Sequence, residues 1–399
     1  MKKKLLFVIP SMEAGGGEKS LVTLLNTIDL QKYEIDLILL NPTGIFLKLV
    51  PPEINLVALN APYKIFTQSI LKASLQLLQA GKFSLVFARI RYTLKNALLK
   101  NKAVAEQQAW SDLKKAIPQQ TKVYDTAIGF LEKSSVYFVV DCVTAANKIG
   151  FIHNDYNQLD LDKKFDLPYF EKLTTIATVS EQCKTVLASC FPSQKQKVKV
   201  IYNLVSATLI NKMAQDKITF DSSKPMLLSV GRLHPQKGFD LAIQAAKLLV
   251  DKGLLFNWYV IGEGAERPAL EKMILQNNLQ DHFHLLGIKE NPYPYLKAAT
   301  LYVQPSRYEG KSIAIDEAMV LNKPIVVTNF TTAKDQIEHL KNGFICEMTA
   351  NDLSKSIQSL LCDAALQQQL SLYLAEQQLR QDVENELDNF YQIVNDGTT

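Results

Sequence analysis

SVGRLHPQKGFD, residues 229–240, is the stretch that decides the fold of this chain. The apolar run Met226–Val230 that leads into it has the length of a buried strand, and a helical pattern opens near Gly238. Between strand and helix lie Gly231, Arg232, His234, Pro235 and Lys237. Two cations five residues apart, at the mouth between a strand and a helix N-terminus, suit a diphosphate. Arginine offers a flat fork, lysine a point charge, and the helix end adds its dipole. Taken alone, the same two residues read equally well as solvated loop cations.

Working outward, the strand–helix alternation repeats. Toward the C-terminus the strands are Trp258–Ile261, Phe283–Leu286, Leu301–Gln304, Pro324–Val327 and Phe344–Cys346. Toward the N-terminus they are Leu5–Pro10, Ile35–Leu40, Ile54–Asn60, Tyr124–Phe130, Lys148–His153, Thr175–Val179 and Val198–Tyr202. Such alternation means α/β architecture with parallel sheets covered on both faces, and 399 residues exceed one ordinary core. The expected arrangement is two Rossmann-like, doubly wound domains facing a central cleft, 1–205 and 206–379. Ser206–Lys224, polar and without a strand, serves as the linker. The Gln-rich helical stretch Ala364–Tyr391 adds no strand, and its last part, about 380–399, is expected to pack back on the first domain. Ligands in such sheets sit at the carboxyl ends of strands.

Composition narrows the class. Apolar residues are 47% and charged residues 21%, which is ordinary globular usage. Five cysteines at irregular spacing argue for free thiols in a reducing compartment, against both a disulfide framework and a zinc site. The opening MKKKLLFVIP imitates a secretory signal, but its apolar run Leu5–Ile9 stops at Pro10, with Glu13 and Gly15–Gly17 close behind. It reads as a first strand entering a glycine-rich loop. No run approaches the ~18–20 apolar residues of a transmembrane helix.

The second stretch with chemistry is QPSRYEGKSIAIDEAMVLNKPIV, residues 304–326. Glu309 follows the strand Leu301–Gln304, and Glu317 lies eight residues on, within the next helix. Gly310 allows close approach, and the amides of Ser312 and Ile313 are expected to open that helix toward an anion. A carboxylate accepts from paired hydroxyls, which suits Glu317 to a ribose and Glu309 to a sugar. The plain alternative is two surface glutamates.

These stretches resemble the retaining family 4 glycosyltransferases, whose fold is the two-domain GT-B fold. The resemblance covers nearly the whole chain. It is carried by Arg232 with Lys237 and by Glu309 with Glu317, supported by GGGEKS (15–20), YDTAIGF (124–130), GFIHNDY (150–156), TVSE (178–181), IYN (201–203) and IGEG (261–264). It implies retaining transfer of a hexose or N-acetylhexosamine from a nucleotide-sugar, most commonly a UDP-sugar. The implied acceptor is a lipid-linked saccharide or oligosaccharide in capsule, exopolysaccharide or O-antigen synthesis. It also implies roles. Arg232 and Lys237 would neutralise the leaving diphosphate, Glu317 would bind the ribose, and Glu309 would hold the transferring sugar near the reacting carbon. His153 would contact the sugar and the leaving phosphate from the N-terminal domain; outside the family context, a histidine at a strand end is simply hydrogen-bonded. Gly16, Gly310, Ser312 and Ile313 would complete the nucleotide-sugar site, and Gly15, Gly16 and Asn154 the acceptor side. Neither a metal nor a cofactor is expected. One departure stands out: where the family reads Glu-Gly-Phe-Gly, this chain has Glu309-Gly310-Lys311-Ser312. Ser312 retains an amide and gains a hydroxyl for a phosphate, and the change bears on the sugar specificity that the resemblance implies.

Other motifs dissolve on inspection. GGGEKS lacks the Gly-Lys-Ser/Thr of a P-loop, since Glu18 stands at the glycine position, and neither glycine cluster completes a dinucleotide fingerprint. Asp160-Leu161-Asp162 imitates a metal-binding DxD but lies in a polar loop, and no partner nucleic acid is indicated. More distinctive is the run from Ala61 to Ala105, with eight cations (Lys64, Lys72, Lys82, Arg89, Arg91, Lys95, Lys100, Lys102) and no acid, interleaved with Phe and Leu. It reads either as helices whose cations snorkel to water or as salt-sensitive attachment to an anionic membrane surface. The second reading puts the protein in the cytoplasm, peripheral on the inner face of the cell membrane. A two-domain nucleotide-sugar epimerase and a non-catalytic sugar- or nucleotide-binding module are the competing functions.

Overall fold

A computed structural model of the chain describes residues 2–220, 223–378 and 383–396. It divides into two units: Met1–Glu13, Gly17–Tyr202 and Asn385–Thr399 in the first, Ala14–Gly16 and Asn203–Glu384 in the second.

The first unit carries β1 (Lys3–Ile9), β2 (Tyr33–Leu39), β3 (Asn55–Leu56), β4 (Val123–Gly129), β5 (Thr144–Ile152), β6 (Thr175–Thr178) and β7 (Val198–Val200). Its early helices are α1 (Gly16–Thr27), α2 (Ala61–Phe66), α3 (Ile70–Gln79), α4 (Phe83–Leu98) and α5 (Lys102–Leu113), followed by α6 (Ser134–Cys142), α7 (Lys163–Glu171) and α8 (Glu181–Cys190). The strands form one parallel sheet in the order β3-β2-β1-β4-β5-β6-β7. The signal-like opening is its central strand: Leu5 to Ile9 are wholly buried and β1 pairs with both β2 and β4. It reads as a continuous apolar run because helices cover both faces, and each such side chain contributes about 1.5–3 kcal/mol.

The second unit carries α9 (Ala207–Met213), β8 (Met226–Val230), α10 (Phe239–Asp251), β9 (Asn257–Ile261), α11 (Arg267–Gln276) and β10 (Phe283–Leu285). It continues with α12 (Tyr293–Ala298), β11 (Leu301–Gln304), α13 (Ile313–Val320), β12 (Ile325–Thr328), β13 (Phe344–Cys346), α14 (Ala350–Leu361) and α15 (Ala364–Gln378). Its sheet is also parallel, in the order β10-β9-β8-β11-β12-β13. In each sheet the winding reverses once, between β1 and β4 and between β8 and β11. A crevice at the carboxyl ends opens at such a reversal.

Two sequence expectations change. The strand expected at Ile54–Asn60 is only Asn55–Leu56, an edge strand, and Asn60 instead caps α2 by accepting from the Tyr63 amide at 3.2 Å. The first part of the expected linker Ser206–Lys224 is the docked seven-residue helix α9, capped by Ser206, with Ile210 buried against Tyr293 and Val320. The last helix, α16 (Val383–Asn395), lies on the first unit, where Phe390 stacks on Phe7 and Thr126 and Asn147 donate to the carbonyls of Val394 and Ile393.

The basic run forms helices α2 to α4, reaching into α5. Three of its eight cations are tied to partners within the protein, although Arg91 itself stays exposed. Arg89 is buried, donates to Gln68 O at 2.8 Å and lies over the rings of Phe66 and Tyr92. Arg91 and Lys95 reach the buried Asp112 on α5 at 2.5 and 2.8 Å. Burial works to raise the Asp112 carboxyl's pKa, but bonds from Lys95 and Arg91 outweigh it and hold it low. These contacts fasten α4 to α5. No described helix is long and apolar enough to cross a membrane.

Candidate functional site

In the second unit the expected residues gather at the carboxyl ends of β8 and β11, the two neighbouring strands where the winding reverses. After β8, Gly231 turns the chain, and a Cβ there would meet the Lys237 stem at 3.2–3.3 Å, so glycine lets that stem lie across the backbone. A short 3-10 turn, Pro235–Lys237, then ends at Gly238 with φ +66°. Any side chain at Gly238 would drive into the Pro305 carbonyl, 2.0 Å from where its Cβ would sit. The β8 loop is therefore pressed against the β11 loop.

That pressing brings Lys237 onto Glu309, with Nζ 2.6 Å from Oε1. The same oxygen accepts from Gln304 Nε2 at 2.8 Å and Ser306 Oγ at 2.6 Å. Glu309 is 5% exposed, so its charge is matched by three donors rather than by water. Arg232 stands exposed on the same loop, and with Lys237 it helps hold the pKa of His234 below its ordinary value, after burial. Arg307 ties the two loops together. Its guanidinium meets both oxygens of Asp240, at 2.9 and 2.6 Å, and the Pro235 carbonyl, while its amide donates to Gln236 O at 2.7 Å.

Glu317 is buried on α13, and the Tyr293 hydroxyl donates to its Oε1 at 3.0 Å. At the start of α13 one expectation is corrected. The Ser312 amide donates to Gln336 Oε1 at 2.9 Å, and Gln336 returns a bond to the Ser312 carbonyl. That amide is closed by the protein's own side chain rather than presented to an anion. Gly310 and Ile313 are buried beside it. The departure at Lys311 also has a physical account, because its ammonium sits 3.5 Å from Asp316 Oδ2, one turn along. Burial raises the Asp316 pKa against the pull of Lys311 and Gln336. Both residues line a cavity of about 310 Å³ with Met319, Asn342 and Tyr373.

In the first unit His153 and Asn154 follow β5 and meet on Glu132, which follows β4. The His153 amide donates to Glu132 Oε2 at 3.1 Å and Asn154 Nδ2 to Oε1 at 2.9 Å. The imidazole is buried against Phe130 and Phe151, and its Nε2 has no partner. Burial lowers its pKa to about 4, more than Glu132 and the Phe130 carbonyl raise it, so the ring is neutral at neutral pH. Further along the loop, the hydroxyls of Tyr156 and Tyr137 both donate to the buried Asp166 at 2.5 Å. Gly15 and Gly16 follow β1 in the chain and open α1, and belong with Ala14 to the second unit. Asp162 of the DxD lookalike caps α7 by accepting from the Lys164 amide.

Arg232, Lys237, Glu309, Gly310, Ser312, Ile313 and Glu317 are thus one neighbourhood of the second unit, with Lys237 and Glu309 in direct contact. Gln304, Ser306, Arg307, Gln336, Tyr293 and Glu132, which hold the candidates in place, escaped the sequence reading. Only Gln304 and Ser306, five and three residues before Glu309, left a local signal.

Residues 211–377 match the family described as glycosyl transferases group 1. A Campylobacter jejuni N-acetylgalactosamine-N,N'-diacetylbacillosaminyl-diphospho-undecaprenol 4-alpha-N-acetylgalactosaminyltransferase is 24% identical over 367 residues, 91% of this chain and 92% of that protein. A Staphylococcus aureus poly(ribitol-phosphate) alpha-N-acetylglucosaminyltransferase is 33% identical over 134 residues, 33% of this chain and 27% of that protein. Three of the curated relatives that the chain matches are spanned over only 43%, 27% and 54% of their length. Among solved structures, Anabaena Alr3699/HepE in complex with UDP and glucose superposes with a TM-score of 0.71 at 16% identity, covering 99% of this chain and 100% of that one. The fold is GT-B, with two all-parallel α/β sheets.

Proposed function

From the premise that residues 211–377 are a glycosyl transferases group 1 domain on a GT-B fold, we propose that this chain is a retaining glycosyltransferase. It moves a hexose or N-acetylhexosamine from a UDP-sugar to a lipid-linked saccharide at the inner face of the cell membrane, in cell-surface polysaccharide synthesis. It uses neither metal nor cofactor. The observation that carries the reading is the Lys237–Glu309 pair, buried at the β8/β11 reversal with the exposed Arg232 beside it.

Breaking the bond between the anomeric carbon and phosphate leaves negative charge on the β-phosphate and positive character on the sugar. A lysine ammonium has three donors. Lys237 spends one on Glu309 and keeps others for phosphate, so the pair can bridge the leaving group and the sugar it leaves. Arg232 adds a bidentate fork. Positioned donors of this kind are worth ~3–4 kcal/mol of barrier each. Glu317, braced by Tyr293, accepts the ribose hydroxyls. His153, neutral and with Nε2 open, offers a hydrogen bond to the sugar without adding charge. The acceptor hydroxyl enters on the face the diphosphate leaves, which gives retention. The lipid-linked acceptor is supported by the diphospho-undecaprenol in the name of the Campylobacter relative.

The test is transfer from radiolabelled UDP-sugars to undecaprenyl-diphosphate saccharides, with product anomers read by NMR. Transfer with the donor's anomeric configuration supports the proposal. Hydrolysis-free epimerisation without an acceptor, or nucleotide binding with no turnover on any donor, overturns it.

A further inference from the structure

Among the described residues eighteen large apolar side chains are exposed, and eight of them fall within Leu71–Leu98. On α4 they are Phe83, Phe87, Ile90, Leu94 and Leu98, spaced by four, three, four and four, which is one stripe of a 3.6-residue helix. On α3 they are Leu71, Leu75 and Leu78, again one stripe. Exposure reaches 83% at Leu71, 68% at Phe87 and 75% at Leu98. Each helix has a second, inward face, because Leu77 of α3 and Val86 and Ala88 of α4 share a small core with Phe66 and Ala116. Both helices are therefore apolar on two sides. The inner side is already satisfied by the fold, and the outer one is not. An outward apolar surface of this extent marks an interaction site.

We infer that the outer faces of α3 and α4 seat in the surface of an anionic bilayer, with the apolar stripe entering first. This deepens the membrane part of the proposed function and rests on it. Charge identifies the occupant. The whole of 61–105 lacks an acid, and with Arg89, Arg91 and Lys95 turned to internal partners, the exposed cations left on it are Lys64, Lys72, Lys82, Lys100 and Lys102. Two copies packed through this face would set lysine against lysine with no carboxylate in the segment to answer them. Lipid phosphates answer the lysines, and acyl chains the Phe and Leu residues. Because apolar insertion is not screened by ions, attachment is only partly sensitive to salt.

The experiment is flotation of the full-length protein with phosphatidylglycerol/phosphatidylcholine vesicles at about 0.05 and about 0.5 M NaCl, a range over which the screening length shortens roughly threefold. The serine pair Phe83→Ser/Phe87→Ser should lower partitioning at least ~100-fold at either salt, with unchanged melting, since both rings are exposed in the parent. The pair Lys72→Glu/Lys82→Glu should lower it roughly tenfold at low salt and little at high salt. Partitioning of the serine pair equal to the parent's, or no binding of the parent at low salt, overturns the inference. So does a parent dimer in sedimentation that the serine pair dissolves without any vesicle binding, because the face would then belong to a second copy. Thermal stabilisation by UDP-sugar in the same samples separates the cases: if it persists when vesicles are ignored, only this inference fails.

Discussion

Lys237 and Glu309 hold each other, but their removal is unequal. Lys237→Ala leaves Glu309 with Gln304 and Ser306 as donors, and the loop keeps its shape. Turnover should nevertheless fall at least ~100-fold, and Arg232→Ala should do the same. Steady-state kinetics check both, and near-parental turnover in either variant removes that residue from the reaction. Glu309→Ala should lower mainly kcat, because its contact tightens as the sugar reacts. Glu317→Ala should raise mainly the donor KM through the ribose, and the reverse pattern would exchange their roles. His153 gives a pH prediction. The folded ring takes a proton only near pH 4, whereas the unfolded one does so near 6.5. As pH falls through that window the unfolded state binds a proton that the folded state refuses, so stability present above pH 6.5 is progressively lost toward pH 4. The imidazole resonance should stay flat from about pH 5.5 to 8. Since Glu132 raises the ring's pKa, Glu132→Gln should move the titration lower still; a midpoint near 6.5 would place the ring in water.

At the scale of elements, the two loops that build the second unit's site are one structure, sewn by Arg307 to Asp240 and to the Pro235 carbonyl. Arg307→Ala should loosen Lys237 against Glu309 and cost roughly tenfold or more in turnover, with melting nearly unchanged. Arg307→Lys should not rescue it, because a single ammonium cannot span both Asp240 oxygens and the carbonyl. The loops show how far the sequence is legible. Central strands such as β1, β8 and β11 were readable because burial on both faces makes them unbroken apolar runs, and the candidate residues were readable because they follow those strands. Edge strand β3 was overdrawn, since its two residues need only one neighbour. Helix α9 was hidden in a polar stretch whose apolar residues are few but docked. Arg307 and Gln336 carried no local mark, since their partners Asp240 and Ser312 lie 67 and 24 residues away. The same blindness applied to the cations of α4: nothing in sequence tells Lys95, tied to Asp112, from Lys72, which faces solvent.

At the scale of the whole molecule, the chain leaves its first unit at Tyr202 and returns to it with α16. The returning helix is part of the core, with Phe390, Ile393 and Val394 buried and Tyr391 stacked on Tyr33. Phe390→Ala should cost about 3–5 kcal/mol. Hydrogen exchange should locate the loss in β1, β4 and β5, while the second unit's strands keep their protection; equal loosening of both units would mean that α16 supports something else. The returning helix also bears on the order in which the protein is made. Thr126 and Asn147 each need a carbonyl from residues 393–394, and both are wholly or nearly buried. On the ribosome, β1, β4 and β5 emerge long before those carbonyls exist. At roughly 5–20 residues per second, the second unit alone occupies on the order of ten to forty seconds of synthesis. The unit synthesised first is thus the one completed last, and for that interval it is a nascent chain whose Thr126 and Asn147 still lack the carbonyls that will bury them.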